Sequence, residues 1–248
     1  MKKYLKRSFV FSLILLLSEL AFGQQKVTFP SLDSLLITAD LYTLDTDAPM
    51  IILCHQAGYS RGEYIYTAKK LNQLGFNCLA IDQRSGGEVN KIKNETSALA
   101  LKNKKPVSFL DAEQDIVAAV NYLFSQNKHR VVLLGSSYSA SLVLKIAKEN
   151  EQVAAALSFS PGEYFPGKLS VAQTISGLSK PVFITCTKKE RPEVTKIAEQ
   201  INSSNLSVYF PDDGGVHGSR ALWPESPDSR YEWVQVEKFL LKIKRKIN

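Results

Sequence analysis

The feature that most constrains the fold is a strand that runs into a helix through a turn of small residues. Residues 131–134 are four apolar residues in a row, which is typical of a strand buried on both faces. From Leu142 onward the apolar residues follow the period of a packed helix. Between them lie residues 135–139, Gly-Ser-Ser-Tyr-Ser. The stretch predicts a strand, a tight turn and a helix in which strand and helix nearly touch.

Ser137 is the residue that such a turn would expose. The turn would lift its hydroxyl off the end of the sheet at the N-terminus of the helix, where the helix dipole favours a developing negative charge. The backbone N–H of Tyr138 would point to the same place and could donate a hydrogen bond to an oxyanion. This arrangement is typical of a nucleophilic serine. A serine-rich turn without a catalytic role would show the same five residues. The other segments of the chain are therefore needed to distinguish a nucleophilic serine from such a turn.

The remaining chain alternates apolar strands with helical segments, which predicts a mainly parallel sheet with helices on both faces. Residues 85–107 are polar and show little periodicity, which predicts a surface loop. Within them, residues 94–96 (Asn-Glu-Thr) match a glycosylation sequon. The other predicted strands are 26–29, 35–44, 49–54, 76–81, 153–159, 181–185 and 206–210, and the other predicted helices are 63–74, 111–126, 194–201 and about 231–247.

The first 23 residues have the pattern of a secretory signal peptide. Four basic residues fall within the first seven, residues 9–17 are apolar, and residues 21–23 offer the small side chains that a signal peptidase reads. We expect cleavage before Gln24, an exported protein that is periplasmic or secreted, and one domain over residues 24–248. An uncleaved membrane anchor is the alternative.

Charge and cysteine content exclude several classes of function. The net charge is +7, and removal of residues 1–23 takes away four basic residues and Glu19, which leaves +4. Much of this excess lies in residues 242–246, which is typical of a solvated helix end. The three cysteines lie in or beside apolar runs without metal-ligand spacing. We therefore expect no nucleic-acid partner, no metal and no stable membrane insertion after cleavage, while the oligomeric state stays open.

Three segments resemble the α/β-hydrolase superfamily. The turn Gly135-x-Ser137-x-Ser139 is similar to its G-x-S-x-G nucleophile elbow, with Ser139 in place of the second glycine. Residues 55–58 (His-Gln-Ala-Gly) follow a buried strand where most members have His-Gly, and residues 82–84 (Asp-Gln-Arg) resemble the Asp-x-Arg-Gly turn. Together the matching segments cover most of residues 26–248 and look like the small dienelactone-hydrolase-like and esterase members.

The resemblance implies an α/β-hydrolase fold and a Ser-His-acid site without metal or organic cofactor. It also implies a second oxyanion donor in the loop after the third strand. By position this donor is the backbone N–H of Ala57, with Gln56 as the next candidate. Large cap domains usually enter this fold after the strand at 153–159, and residues 161–180 are too short for one. We therefore expect an open site.

The base and the acid follow from chain order, which is Ser, acid, His in this fold. Of the three histidines, His217 alone lies in a Gly-rich loop after the last strand, so it is the expected base. Glu190 follows the strand at 181–185, where the family commonly has its acid, and Asp is the commoner residue there. Glu163 follows the preceding strand and is the alternative acid. Residues 212–213 (Asp-Asp), close to His217 in sequence, fit a turn better.

These residues predict a serine hydrolase that cleaves small carboxylic esters through an acyl-enzyme. The partner would be a small-molecule ester. The same fold also supports peptidases and thioesterases, so fold alone does not decide the reaction. A different class of function is a catalytically silent scaffold that binds a ligand or partner, motivated by Ser139, by the missing His-Gly and by a Glu at the acid position.

Overall fold

In a computed structural model of the chain, residues 23–201, 204 and 206–247 are described. The predicted signal peptide lies outside these residues except for Gly23, so cleavage and export stay predictions. Within the described residues no helix is both long and apolar enough to cross a membrane.

The described residues form ten strands, of which eight make one sheet. They are β1 (Gly23–Pro30), β2 (Leu36–Thr43), β3 (Met50–Cys54), β4 (Asn77–Ile81), β5 (Glu88–Val89), β6 (Ile92–Lys93), β7 (Val131–Ser136), β8 (Val153–Phe159), β9 (Val182–Thr185) and β10 (Leu206–Tyr209). The sheet order is β1-β2-β4-β3-β7-β8-β9-β10. Strand β2 is antiparallel to β1 and β4, and all other pairs in this sheet are parallel. The predicted mainly parallel sheet is therefore confirmed.

Seven α-helices connect or flank these strands: α1 (Ile65–Gln73), α2 (Glu95–Lys102), α3 (Glu113–Asn127), α4 (Tyr138–Glu149), α5 (Val171–Ile175), α6 (Arg191–Ala198) and α7 (Ser229–Ile247). A 3-10 turn over Arg61–Tyr64 precedes α1, so the helix predicted from residue 63 begins with a tighter turn. Between β8 and β9 the chain forms only the five-residue α5. This agrees with the expectation that no large cap enters there.

The sheet separates two apolar cores, and strand β7 contributes to both. Leu133 packs into the core beneath α3, α4 and α6, while Val132 and Leu134 pack into the core beneath α1 and α7. Successive residues of a strand point to opposite faces. This alternation explains why the strand is apolar at consecutive positions, and it confirms helices on both faces of the sheet.

Residues 85–107 are not a plain loop, which corrects the prediction. They contain the β5–β6 hairpin and α2, whose N-terminus is capped by the Asn94 side chain accepting from the Ser97 N–H at 2.7 Å. The apolar pattern of the sequence did not reveal this helix, because the buried face of α2 consists of Thr96, Ser97 and Ala100, which are small or polar. A helix with such a face has a weak apolar pattern.

The fold does not present Asn94, the first residue of the sequon, as a glycosylation site. The Asn94 side chain is buried, and its Nδ2 donates to the Gln83 carbonyl at 2.8 Å. A glycan would have to attach to this same nitrogen, and the surrounding protein leaves it neither free nor accessible.

Candidate active site

Ser137 lies in the turn between β7 and α4 in a backbone conformation that side chains rarely adopt. Its φ is +58° and its ψ is −123°. Such a conformation costs about 1–3 kcal/mol and persists only where the surrounding structure enforces it. Here the Ser137 N–H donates to the Phe159 carbonyl at 2.8 Å. A Cβ at Gly135 would meet the Ser139 carbonyl oxygen at 2.4 Å, so only glycine fits two residues before Ser137.

Ser139, which replaces the second glycine of the elbow, has a hydrogen-bonding reason for its side chain. Its buried hydroxyl donates to the His55 carbonyl at 2.6 Å and accepts from Gln83 Nε2 at 2.7 Å. The first turn of α4 is thereby tied to the end of β3 and to the turn after β4. The departure from the family pattern therefore adds contacts at the elbow and does not disrupt it.

Buried ion pairs hold the turn after β4 that carries Gln83. Asp82 accepts from Arg61 Nη1 at 2.6 Å, and Arg84 Nη2 donates to Asp115 at 2.8 Å. All four side chains are almost fully buried. Breaking such a pair by removing one partner is strongly destabilising, because the other charge stays buried. The Asp-Gln-Arg turn is thus structural and fixes Gln83 beneath the site.

His55 is buried beneath the loop that follows β3 and orients one of its peptide groups. Its Nε2 accepts from the Gln83 N–H at 3.0 Å, so the proton lies on Nδ1, which donates to the Gln56 carbonyl at 2.8 Å. Burial lowers the pKa of His55 to about 4, although its hydrogen bonds oppose this shift, so the ring is neutral. In a trans peptide the N–H points opposite to the C=O. The Ala57 N–H therefore points away from His55.

A hydrogen bond distinguishes the two oxyanion candidates of this loop. The Gln56 N–H donates to Glu63 Oε2 at 2.8 Å, so it is already engaged, and Gln56 drops out as an oxyanion donor. The Ala57 N–H keeps its place as the candidate of the loop. Tyr138 is the first residue of α4, so its N–H has no partner within the helix. Ala57 and Tyr138 are the two remaining donors.

Glu63 itself is fully buried and joins three parts of the site. Besides the Gln56 N–H, it accepts from the Ser219 hydroxyl at 2.6 Å and also interacts with Ser136, the residue before Ser137. Burial raises the pKa of this carboxyl, and these hydrogen bonds oppose the rise. A single acidic side chain thus links the loop after β3, the end of β7 and the loop that carries His217.

His217 is paired with Glu190. Its Nδ1 is hydrogen-bonded to Glu190 Oε1, while Glu190 Oε2 accepts from the Ser160 hydroxyl at 2.8 Å and from the Thr187 N–H at 2.9 Å. Burial would raise the pKa of Glu190, but these three hydrogen bonds and the charge of His217 outweigh it and lower the pKa to about 2. Glu190 is therefore a carboxylate at neutral pH and can orient the imidazole.

The His217 loop is anchored next to the elbow. The Gly218 N–H donates to the Ser160 hydroxyl at 3.0 Å, and the Ser219 N–H donates to the Ser136 hydroxyl at 2.9 Å. Gly218 has φ +69°, and a Cβ there would meet Ser136 Oγ at 2.4 Å. The loop therefore requires glycine at this position. Ser219, two residues after His217, contacts Ser136, which directly precedes Ser137.

The other two acidic candidates have different partners. Both carboxylate oxygens of Glu163 accept from the first two N–H groups of α5, at 2.6 and 2.9 Å. Asp213 pairs at the surface with Lys188 at 2.7 Å. Of the carboxylates considered from the sequence, Glu190 is the one that the structure brings to His217.

Three polar residues of the site were not predicted: Glu63, Ser160 and Tyr164. The Tyr164 hydroxyl donates to the Ser160 carbonyl at 3.0 Å and interacts with the Ser137 side chain. Burial raises the pKa of Tyr164, and the contact with Ser137 opposes this rise. Ser160 and Tyr164 follow β8 at the same sheet edge as Ser137, which is a signal that could have found them. Glu63 gave no such signal, because it falls at the start of a predicted helix.

Among the described residues, no group of three or more His, Cys, Asp or Glu side chains is placed to hold a metal ion. The described histidine and carboxylate at the site are hydrogen-bonded to each other. Chemically, the arrangement combines an elbow serine, an oriented imidazole and two candidate N–H donors, one at the start of α4 and one in the loop after β3.

Comparison with known proteins identifies the family and the fold. The family model of the dienelactone hydrolase family matches residues 37–208, which is more than half of the chain. A comparison with curated protein sequences found no significant match. The chain is similar in structure to an esterase of Pyrococcus furiosus, with 18% identity, a TM-score of 0.71, and 92% of this chain and 93% of that chain covered.

Two further solved structures show the same fold. A dienelactone hydrolase of Anabaena variabilis has 16% identity and a TM-score of 0.67, with 88% of this chain and 98% of that chain covered. The esterase domain of a Rhodothermus marinus protein has 13% identity and a TM-score of 0.64, with 89% and 98% covered. The chain has the α/β-hydrolase fold and belongs to the dienelactone hydrolase family.

Proposed function

We propose that this protein hydrolyses small carboxylic esters through an acyl-enzyme intermediate. The observation that carries the proposal is the hydrogen bond from His217 Nδ1 to Glu190, next to an elbow that holds Ser137 at φ +58°. Membership of the dienelactone hydrolase family and the α/β-hydrolase fold support hydrolysis of an ester bond in general.

In the first half of the reaction Ser137 is acylated. His217 takes the proton of the Ser137 hydroxyl through Nε2 while Ser137 Oγ attacks the ester carbonyl. Glu190 keeps the imidazole in the tautomer with its proton on Nδ1 and stabilises the imidazolium that forms. The Tyr138 and Ala57 N–H groups donate to the oxyanion of the tetrahedral intermediate. His217 then gives its proton to the departing alkoxide, which leaves as the alcohol.

In the second half water regenerates the enzyme. His217 removes a proton from a water molecule, and the resulting hydroxide attacks the acyl carbonyl. The tetrahedral intermediate collapses with Ser137 as the leaving group, and His217 returns the proton to its oxygen. The carboxylic acid is released. The low pKa of Glu190 supports this role, because the carboxylate stays charged through both halves.

The silent-scaffold alternative rests on departures from the family pattern, and two of them have structural explanations. Ser139 uses its hydroxyl to hold the elbow to β3, and Gln56 is bonded through its N–H to Glu63. The third departure, a glutamate as the acid, reaches His217. Peptidase and thioesterase activities use the same machinery, and the short segment after β8 favours small esters because it adds no cap to hold a longer substrate.

The protein is further proposed to act outside the cytoplasm, in the periplasm or after secretion. The support is the basic, then apolar, then small-residue pattern of residues 1–23. The mass of the protein recovered from an exporting host tests this. A mature chain that begins at Gln24 is the expected result, and a retained full-length chain in the membrane fraction would favour an uncleaved anchor.

Hydrolysis of p-nitrophenyl acetate tests the reaction itself. We expect Ser137→Ala, His217→Ala and Glu190→Gln each to lower kcat by about 10⁴-fold or more. The matched control is Glu193→Gln, because Glu193 lies on α6 close to Glu190 in sequence but pairs at the surface with Lys196. A wild type that neither turns over the ester nor reacts with a fluorophosphonate, yet binds ligands, would support the silent scaffold.

A further inference from the structure

A small apolar cavity lies between the segment before α3 and the loop after β8. Its volume is about 220 Å³, and its walls include Phe109, Leu110, Tyr164 and Phe165. Phe165 is only 3% exposed and is part of the core, so this wall is fixed. Phe109 is 37% exposed and lies at the surface side of the cavity. Ser108, Pro166 and Lys168 complete the lining, so three of its seven residues are aromatic.

Two residues that line the cavity contact the elbow. The Phe109 ring stacks on the Tyr138 ring with centroids 4.5 Å apart and planes 13° apart, and Tyr138 directly follows Ser137. The Tyr164 hydroxyl interacts with the Ser137 side chain. Ser137 does not itself line the cavity, but two of the cavity's lining residues, Phe109 and Tyr164, contact Tyr138 and Ser137.

The position of the cavity fits the acyl part of the substrate. The leaving alcohol must lie against His217, because it receives its proton from that imidazole. No residue of the His217 loop lines the cavity. The acyl group stays on Ser137 after the alcohol has left, and Tyr164, which lines the cavity, interacts with the Ser137 side chain.

The size and chemistry of the cavity limit what that acyl group is. An apolar cavity of roughly 150 Å³ binds benzene, whereas drug-sized ligands need about 300 Å³ or more. A volume of 220 Å³ thus matches one ring and its link to the carbonyl better than two fused rings. Aromatic walls also favour a planar ring by offset or edge-to-face stacking.

We propose that this cavity is the acyl subsite and that the preferred substrates are esters of single-ring aromatic acids, such as benzoyl or phenylacetyl esters. This proposal rests on the proposed function. It assigns the choice of substrate to Phe109, Leu110 and Tyr164, which lie outside the Ser-His-acid machinery.

The test compares p-nitrophenyl benzoate with p-nitrophenyl acetate, which share a leaving group. The readout is the ratio of their kcat/KM values in each variant, because this ratio cancels differences in the amount of active enzyme. Leu110→Trp places a large side chain in the cavity. We expect it to lower the benzoate-to-acetate ratio by about 10- to 100-fold, as a lost pocket contact does in other enzymes. Phe109→Ala removes one stacking wall and should lower the ratio by about 2- to 10-fold.

The control variant is Leu101→Trp, which makes the same substitution at a leucine of α2 that is 62% exposed and does not line the cavity. It should leave the ratio within the error of the wild type. Leu110→Ala is the complementary variant, because a larger cavity should raise the activity on 1-naphthoate esters relative to benzoate. This variant keeps the proposal testable if the tryptophan variant fails to fold.

The outcomes separate the two levels of the argument. A wild type that hydrolyses both esters, with a benzoate-to-acetate ratio unchanged by Leu110→Trp and Phe109→Ala, would overturn the acyl subsite and leave the proposed function in place. A wild type that hydrolyses neither ester and does not react with a fluorophosphonate would overturn the proposed function itself.

Discussion

Glu63 offers a demanding test of the structural account, because it is fully buried and charged groups are rarely buried without partners. Replacement by alanine leaves the Gln56 N–H without an acceptor, since that group has no freedom to turn to another. The Ser219 hydroxyl can rotate and loses less. One unsatisfied buried donor costs about 1–3 kcal/mol, and the space left by the side chain adds about 1 kcal/mol. We expect Glu63→Ala to lower the free energy of unfolding by about 2–4 kcal/mol.

Glutamine at the same position separates hydrogen bonding from charge. Its carbonyl oxygen can accept from the Gln56 N–H while its amide donates to the Ser219 hydroxyl, so we expect a loss of about 1 kcal/mol or less at neutral pH. Burial raises the pKa of Glu63 from its ordinary value of 4.5. A carboxyl with a raised pKa contributes stability below pH 4.5 that is lost as the pH rises. Glu63→Gln lacks this loss, so its stability relative to the wild type should improve between pH 5 and pH 8.

Urea unfolding followed by circular dichroism at pH 5, 6, 7 and 8 measures both effects. Glu88→Ala and Glu88→Gln are the matched controls, because Glu88 is exposed in the β5–β6 hairpin. The control variants should stay within about 0.5 kcal/mol of the wild type. A Glu63→Ala variant equally close to the wild type would refute the bonding described for Glu63. A difference between Glu63→Gln and wild type that does not change with pH would refute the raised pKa.

Three further predictions address the elbow, the acid and the histidine loop. Ser139→Ala leaves the buried His55 carbonyl without its hydroxyl donor and should cost about 1–2 kcal/mol of unfolding free energy, measured by urea titration. The pKa of Glu190 is lowered to about 2, so its contribution to stability is present above pH 4.5 and is lost as the pH falls towards 2. The difference in unfolding free energy between wild type and Glu190→Gln should therefore shrink on acidification from pH 6 to pH 3. A difference that grows would contradict the lowered pKa. Gly218→Ala forces a Cβ against Ser136 Oγ at a φ of +69°. It should lower both the melting temperature and the rate of p-nitrophenyl acetate hydrolysis. A variant with wild-type values of both would show that the loop needs no glycine.

The sequence predicted the fold and the elbow because their signals are local. The change of apolar period around Ser137 lies within one stretch of chain, and buried parallel strands are apolar at consecutive positions. Helix α2 was missed because its buried face is small and polar, so it carries no apolar period. Burial of Asn94 could not be foreseen either, because its side chain bonds to the carbonyls of Gln83 and Tyr59, which belong to other segments of the chain.

The choice between alternatives at the site depended on contacts across the sheet. Glu163 and Glu190 both follow parallel strands, and only the three-dimensional arrangement shows that one caps a helix and the other meets His217. Gln56 and Ala57 are adjacent in the loop, and the difference between them is set by the carboxylate of Glu63 on a helical turn seven residues later. Such pairings leave no periodic trace in a single sequence.

The central claim is that Ser137 carries the acyl group, and identification of the labelled residue tests it most directly. The purified protein is treated with a fluorophosphonate and digested with trypsin, which releases residues 131–145 between Arg130 and Lys145. Fragmentation of this peptide in the mass spectrometer separates Ser137 from the neighbouring serines. The account predicts an adduct on Ser137 that forms slowly with His217→Ala and does not form with Ser137→Ala. An unlabelled wild type, or an adduct on Ser160 or another serine, would contradict it.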